Sequence, residues 1–132
     1  MIALDTNIVI RFLVRDDEKQ SQLVYRRFKQ AERRRELLFV PLPIMLETIW
    51  VLESLYNLTR GEIIGAIEDL MLMPIFQFQN YGALQKFLVS ARQESTDLSD
   101  LLIAHSCRAS GCKQVLTFDK KASRSQLFQL LK

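Results

Sequence analysis

Five acidic residues stand where acids are expensive. Asp5 follows the apolar run Ile2–Leu4, and Glu47 interrupts Pro43-Ile-Met-Leu-Glu-Thr-Ile-Trp50. Asp97 and Asp100 are three apart, which puts them on one helix face, and Asp100 runs straight into Leu-Leu-Ile-Ala104. Asp119 closes Val-Leu-Thr-Phe118. A carboxylate at the margin of an apolar segment is costly unless it is paired or coordinates a metal. Several together repel one another and rise in pKa unless a cation neutralises them. These segments contain no Lys or Arg; Lys120 and Lys121 come only after the last acid. A divalent cation is the simplest counter-charge, and an oxygen-only donor set suits Mg²⁺ or Mn²⁺ rather than Zn²⁺. Taken singly, Asp5 reads as a turn residue after a strand, and Asp97 as the cap of the helix it opens. The conjunction of four acids is what points to a metal site.

Other chemistries lack their residues. His105 is the only histidine, so no histidine pair is available for acid–base cleavage, and it lies off the face of Asp100. Gly61, Gly65, Gly82 and Gly111 are scattered and form no phosphate-cradling loop. Cys107 and Cys112 lack the spacing and partners of a zinc site. Trp50, on the same predicted helix as Glu47, is expected in the core rather than as a base-stacking platform.

The elements that would hold the acids are short strands alternating with helices. Apolar runs at Ile2–Leu4, Leu37–Val40, Ile75–Phe78, Val115–Phe118 and Leu127–Leu131 read as strands. Between them lie helical patterns: from Asn7 to Val14, with Asn7 as a candidate cap, and from Asp16 or Asp17 to about Arg35. Others run from Pro43 to about Asn57, from the capping box Thr59-Arg-Gly-Glu62 to about Met73, from Asn80, and from Asp97 to Gly111. Such alternation implies parallel crossovers and a three-layer α/β/α architecture around a short parallel sheet, as one domain over 1–132. Ligands bind beyond the carboxyl ends of such strands, where Asp5 and Asp119 fall.

With 48% hydrophobic residues in a 132-residue chain of net charge +3, disorder is excluded and a sizeable core is expected. The longest apolar run, Leu37–Leu46, is broken by Pro41 and Pro43 and is too short to cross a membrane. Met1-Ile-Ala-Leu-Asp5 does not resemble a secretory leader, and two cysteines make no disulfide framework, so a cytoplasmic protein is expected. Arg26, Arg27, Lys29, Arg33, Arg34 and Arg35 crowd ten residues that hold one acid, Glu32. Such a stripe either tracks phosphates or is a solvated helix face.

Together these motifs resemble the PIN domain. Asp5-Thr-Asn7 is similar to its opening, Leu42-Pro-Ile-Met-Leu-Glu47 to its second acidic motif, Asp97-Leu-Ser-Asp100-Leu-Leu-Ile-Ala104 to its third and Leu116-Thr-Phe-Asp119 to its fourth. The likeness spans essentially the whole chain and is greatest to the VapC-type toxins of bacterial and archaeal toxin–antitoxin pairs, which are compact single PIN domains. It implies a divalent-metal-dependent ribonuclease with Asp5, Glu47, Asp100 and Asp119 as catalytic metal ligands for Mg²⁺ or Mn²⁺. Asp97 is then a cap or outer partner, and Thr6 and Thr117 either bond the carboxylates or hold turns. An RNA substrate and a small cognate antitoxin, placing an Arg or other blocking residue among the acids, also follow from the likeness. So does a homodimer, for which the apolar surplus over residues 44–72 argues independently. Arg11, Arg15, Lys120, Lys121 and Arg124 lie just beyond acidic motifs and are candidates for a basic, RNA-binding rim.

Two other classes place an Asp after a first strand. A haloacid dehalogenase-like phosphatase wants a second Asp at position 7, which is Asn7, and a response-regulator receiver wants an acidic pair earlier than Asp16 and Asp17. A catalytically silent RNA-binding PIN domain is the third alternative, disfavoured by the presence of all four acids.

Overall fold

Strand β1 (Ile2–Ala3) is only two residues long because Asp5 turns the chain into helix α1 (Thr6–Leu13) at once. The computed structural model describes residues 1–132 as an α/β chain in two compact units, 1–79 and 80–132.

In the first unit α2 (Glu18–Arg34), β2 (Leu38–Val40), α3 (Leu42–Ser54), α4 (Arg60–Met71) and β3 (Phe76–Phe78) follow α1. The strands form a parallel sheet in the order β1-β2-β3, with Ile2 opposite Leu38 and Leu38 opposite Phe76. Three-residue strands suffice because helices supply most of the buried surface. Met45, Ile49 and Leu52 of α3 and Ile63 and Ile67 of α4 are fully buried. Phe12, Phe28, Phe76 and Phe78 form an aromatic cluster, with Phe28 and Phe76 centroids 5.2 Å apart and edge-on, the favoured aromatic geometry.

Local chemistry sets the helix ends. Asp17 caps α2 by accepting the Gln20 amide at 3.0 Å. Thr59 and Glu62 form a reciprocal capping box on α4, and the bonds to Thr59 hold the Glu62 carboxyl below its ordinary range. Pro41 precedes α3 without a side-chain cap, and the Leu42 amide instead donates to Gln79 Oε1 at 2.8 Å. The residue after β3 thus fixes the start of the helix that carries Glu47. Two expectations fail here. Asn7 lies inside α1, because Asp5 already satisfies the helix start. Helix α3 stops at Ser54, and Asn57 sits beyond it in the left-handed region, φ 53°.

The second unit holds α5 (Tyr81–Gln93), α6 (Leu98–Ala109), β4 (Val115–Thr117), a 3₁₀ turn at Ala122–Arg124 and β5 (Phe128–Leu130). Strands β4 and β5 pair in parallel. Leu84, Phe87 and Leu88 of α5 are buried, as are Leu98, Leu101 and Leu102 of α6 where the two helices pack. Asn80, expected to cap α5, precedes it in the left-handed region at φ 56° and gives no side-chain cap. Gly111, at φ 93°, takes the chain out of α6, a conformation that suits glycine. No helix is long and apolar enough to cross a membrane.

Candidate active site

In the first unit, Asp5 is the N-cap of α1 and its Oδ1 accepts the Thr6 amide at 2.8 Å. The cap fixes Asp5 at the carboxyl end of β1, where the sequence placed it. Thr6 is 6% exposed, and its Oγ1 is buried with no partner. Such an orphaned hydroxyl beside a carboxylate has capacity for a ligand that the protein itself does not satisfy. Glu47 lies on α3, which packs against α1, and points off the buried face formed by Met45, Thr48, Ile49 and Leu52. Its carboxylate is exposed and has no hydrogen bond or ion pair. Trp50, expected in the core, is 56% exposed, because it lies on the opposite side of α3 from Met45, Ile49 and Leu52.

The second unit holds Asp97, Asp100 and Asp119, and the charges of the first and last act on Asp100. Asp97 caps α6, its Oδ1 accepting the Asp100 amide at 3.1 Å. Asp119 Oδ1 accepts the Lys121 amide at 2.9 Å and the Ala122 amide at 3.1 Å, which nucleates the 3₁₀ turn. Thr117 Oγ1 accepts the Asp119 amide at 3.0 Å, so Thr117 takes the turn-holding role of its two alternatives. Asp100 has neither role. Burial pushes its carboxyl above the ordinary range, and the charges of Asp97 and then Asp119 push it further the same way. No ion pair relieves any of these three acids.

No three Asp, Glu, His or Cys side chains lie in a grouping ready to hold a metal ion. The donor chemistry nevertheless fits a hard cation. Asp100 is a carboxylate repelled by two others without a basic partner, and Thr6 Oγ1 is an unused oxygen beside Asp5.

The basic candidates divide. Arg11 is already committed: Nη1 donates to Asp16 Oδ1 at 2.9 Å and to the Tyr56 hydroxyl at 3.1 Å, and Nε donates to Gln20 at 2.7 Å. Tyr56 in turn donates to Asp16 Oδ2 at 2.8 Å, closing a network that ties the α1–α2 turn to the segment after α3. Sequence gave no sign of this, since Tyr56 lies 45 residues from Arg11. Arg15, Lys120, Lys121 and Arg124 are exposed and make no ion pair. In the basic stripe, Arg27 forms a two-pronged bond to Glu36 at 2.7 and 2.8 Å, which holds the Glu36 carboxyl below its ordinary range. Lys29 reaches Glu32 at 3.8 Å, while Arg26, Arg33, Arg34 and Arg35 make no ion pair.

No solved structure matches the chain. A VapC ribonuclease of Aquifex aeolicus (strain VF5) is 23% identical over 121 residues, covering 92% of this chain and 89% of the relative. The profile of the PIN domain matches residues 2–126, and with that match over nearly its whole length the chain belongs to the PIN domain family.

Proposed function

We propose that this protein is a divalent-metal-dependent endoribonuclease, the toxin of a type II toxin–antitoxin pair acting in the cytoplasm, and that 1–132 work as one PIN domain. The observation that carries it is Asp100, a carboxylate in the first turn of α6 that is partly buried and repelled by two further carboxylates, in a chain of this family. Asp5, Glu47, Asp100 and Asp119 would hold Mg²⁺ or Mn²⁺, with Asp97 and Thr6 as outer partners. Held there, such a cation would offset the negative charge of the scissile phosphate and lower the pKa of the attacking water.

The protein's own contribution is placement and charge. The backbone bonds to Asp5, Asp97 and Asp119 fix those carboxylates before substrate arrives, so little reorganisation accompanies the reaction. A carboxylate of the set accepts the proton of the attacking water. Lys120, Lys121 and Arg124, with Arg15, hold the RNA by its phosphates, which makes binding weaken as salt rises. Arg11 is assigned instead to anchoring the α1–α2 turn. The cognate antitoxin would compete at the same carboxylates with a cationic side chain. A second copy of the chain would cover the apolar surplus of α3 and α4, where Trp50, Leu55 and Leu72 are exposed.

The test is cleavage of single-stranded RNA by the purified protein with Mg²⁺ or Mn²⁺ and with EDTA. Cleavage that needs the cation and disappears in both Asp5→Asn and Asp100→Asn is expected. Cleavage that survives EDTA, or survives both substitutions at the original rate, overturns the proposal.

A further inference from the structure

The second unit contains a cleft of about 430 Å³ between the turn linking α5 to α6 and the segment running from the 3₁₀ turn into β5. His105 lines it and is only 8% exposed. Its Nε2 lies 2.6 Å from Ser90 Oγ, a bond that ties α6 to α5. Burial, aided by Arg108 and Lys86 and opposed by Glu94, holds the imidazole below its usual range, so it lends the cleft no charge near pH 7. Charge comes instead from Arg108 and Arg124, both exposed, both on the cleft wall and neither in an ion pair. Ser95 and Ser125 add hydroxyls. One carboxylate faces these groups: Glu94, which accepts the Thr96 hydroxyl at 2.8 Å.

Two guanidiniums and neighbouring hydroxyls around one concavity suit a phosphate, since a guanidinium fork matches phosphate oxygens in pairs. The carboxylate makes the choice narrower. Glu94 repels a second anionic group and accepts from hydroxyl or amine donors, which a nucleotide's ribose and base present at a distance from its phosphate and inorganic phosphate cannot. The volume falls within the usual range of small-molecule sites and is ample for one nucleotide.

We propose that this cleft is a nucleotide subsite, in which Arg108 and Arg124 take the phosphate and Glu94 takes a ribose hydroxyl or base amine. The inference rests on the ribonuclease reading for what fills the subsite in the cell, namely one nucleotide of the RNA strand. The binding itself is testable without cleavage.

The probes are 5′-AMP and inorganic phosphate, titrated into the isotopically labelled protein in EDTA and followed by amide chemical shifts. The wild type is expected to bind AMP more tightly than phosphate, with shifts centred on Ser95, Arg108 and Ser125. Arg108→Gln/Arg124→Gln should weaken AMP by about tenfold or more, as expected on losing charge-assisted hydrogen bonds. A charge-matched control, Lys19→Gln/Lys113→Gln, should change it less than twofold. Glu94→Gln should strengthen phosphate and narrow the preference for AMP. Unchanged AMP affinity in the arginine double variant, or an equal loss in the control, overturns the subsite. RNA cleavage by a wild type that binds no AMP overturns the subsite and leaves the ribonuclease reading standing. AMP binding through the two arginines in a protein that cuts no RNA does the reverse.

Discussion

Replacing Asp100 by Asn removes one charge from the crowded acids of the second unit while keeping the side-chain shape. The Asp100 carboxylate accepts no hydrogen bond, so none is lost. Like charges roughly 8 Å apart at a partly exposed site repel by roughly 0.5 kcal/mol each in a water-like dielectric, the value assigned to each neighbour. Two neighbours therefore give about 1 kcal/mol of relief, and partial burial of the charge adds to it. Against this, an acid in the first turn of a helix gains roughly 0.5 kcal/mol from the helix dipole, which Asn forfeits. The net is a stabilisation of about 0.5–1 kcal/mol, or roughly 2–4 °C in melting midpoint for a domain of this size.

The effect has a pH signature. The folded carboxyl is raised above its ordinary value of 3.8, so the folded protein holds this proton to higher pH than the unfolded chain does. Asp100 costs nothing below the unfolded-chain value. The penalty grows as pH rises from there towards the folded value and is complete above it. Thermal melts in EDTA should therefore show Asp100→Asn above wild type near pH 7, with the gap closing below about pH 4. Mn²⁺ should reverse the order near pH 7. A bound ion at a hundred times its dissociation constant stabilises by about 2.7 kcal/mol, and under the proposed site the variant holds it less tightly. A variant destabilised equally at both pH values would refute the repulsion argument. Equal stabilisation of both proteins by Mn²⁺ would remove Asp100 from the metal set.

Asp5→Asn should keep the cap on α1 and lose about 10²-fold or more in RNA cleavage, as expected when preorganised charge is removed. Asp5→Ala should lose the same activity and also about 1 kcal/mol of stability, so melts and cleavage rates measured together separate the two roles of one carboxylate. Thr59→Ala breaks the capping box of α4 and should lower stability by about 1 kcal/mol in denaturant melts, with the cleavage rate at 25 °C unchanged. Trp50→Glu/Leu72→Glu places charges on residues 56% and 79% exposed; static light scattering should show a dimer mass for wild type and a monomer mass for the variant. A monomeric wild type at micromolar concentration would reject the dimer.

The elements were legible because local rules set them. The five predicted strands differ from the observed ones by at most one residue at each end, and the Asp17, Thr59 and Asp97 caps lie where side-chain chemistry demanded them. The misses share a cause as well. Trp50 reads as core by its aromatic type, yet it is exposed, since residue type alone does not reveal which side of a helix apolar nearly all round is covered. Arg11 resembled a free cation beside an acidic motif, yet its partner Tyr56 comes from across the fold. The cleft around His105 was invisible for the same reason. His105 and Arg108 share a helix face at a spacing of three, but Glu94, Arg124 and Ser125 join them only through folding.

Ordinary structural chemistry accounts for three of the five acids without any ligand. Asp5, Asp97 and Asp119 each use Oδ1 to accept backbone amides at a helix or turn start, and this alone would keep an acid there. Their presence is weak support for catalysis when considered alone. Glu47 and Asp100 are different. Glu47 caps nothing and pairs with nothing on a helix whose other exposed positions are Pro43, Trp50 and Ser54, so an apolar or neutral side chain would fit as well. Asp100 is placed at a cost, partly buried beside like charges. Residues that do nothing for the fold, or oppose it, are where function is expected to have overridden local consistency. The buried, unpartnered hydroxyl of Thr6 adds a third such departure beside Asp5. The case for a cation therefore rests on Glu47, Asp100 and Thr6, and substitutions there test it more sharply than at the three acids with a second, structural task.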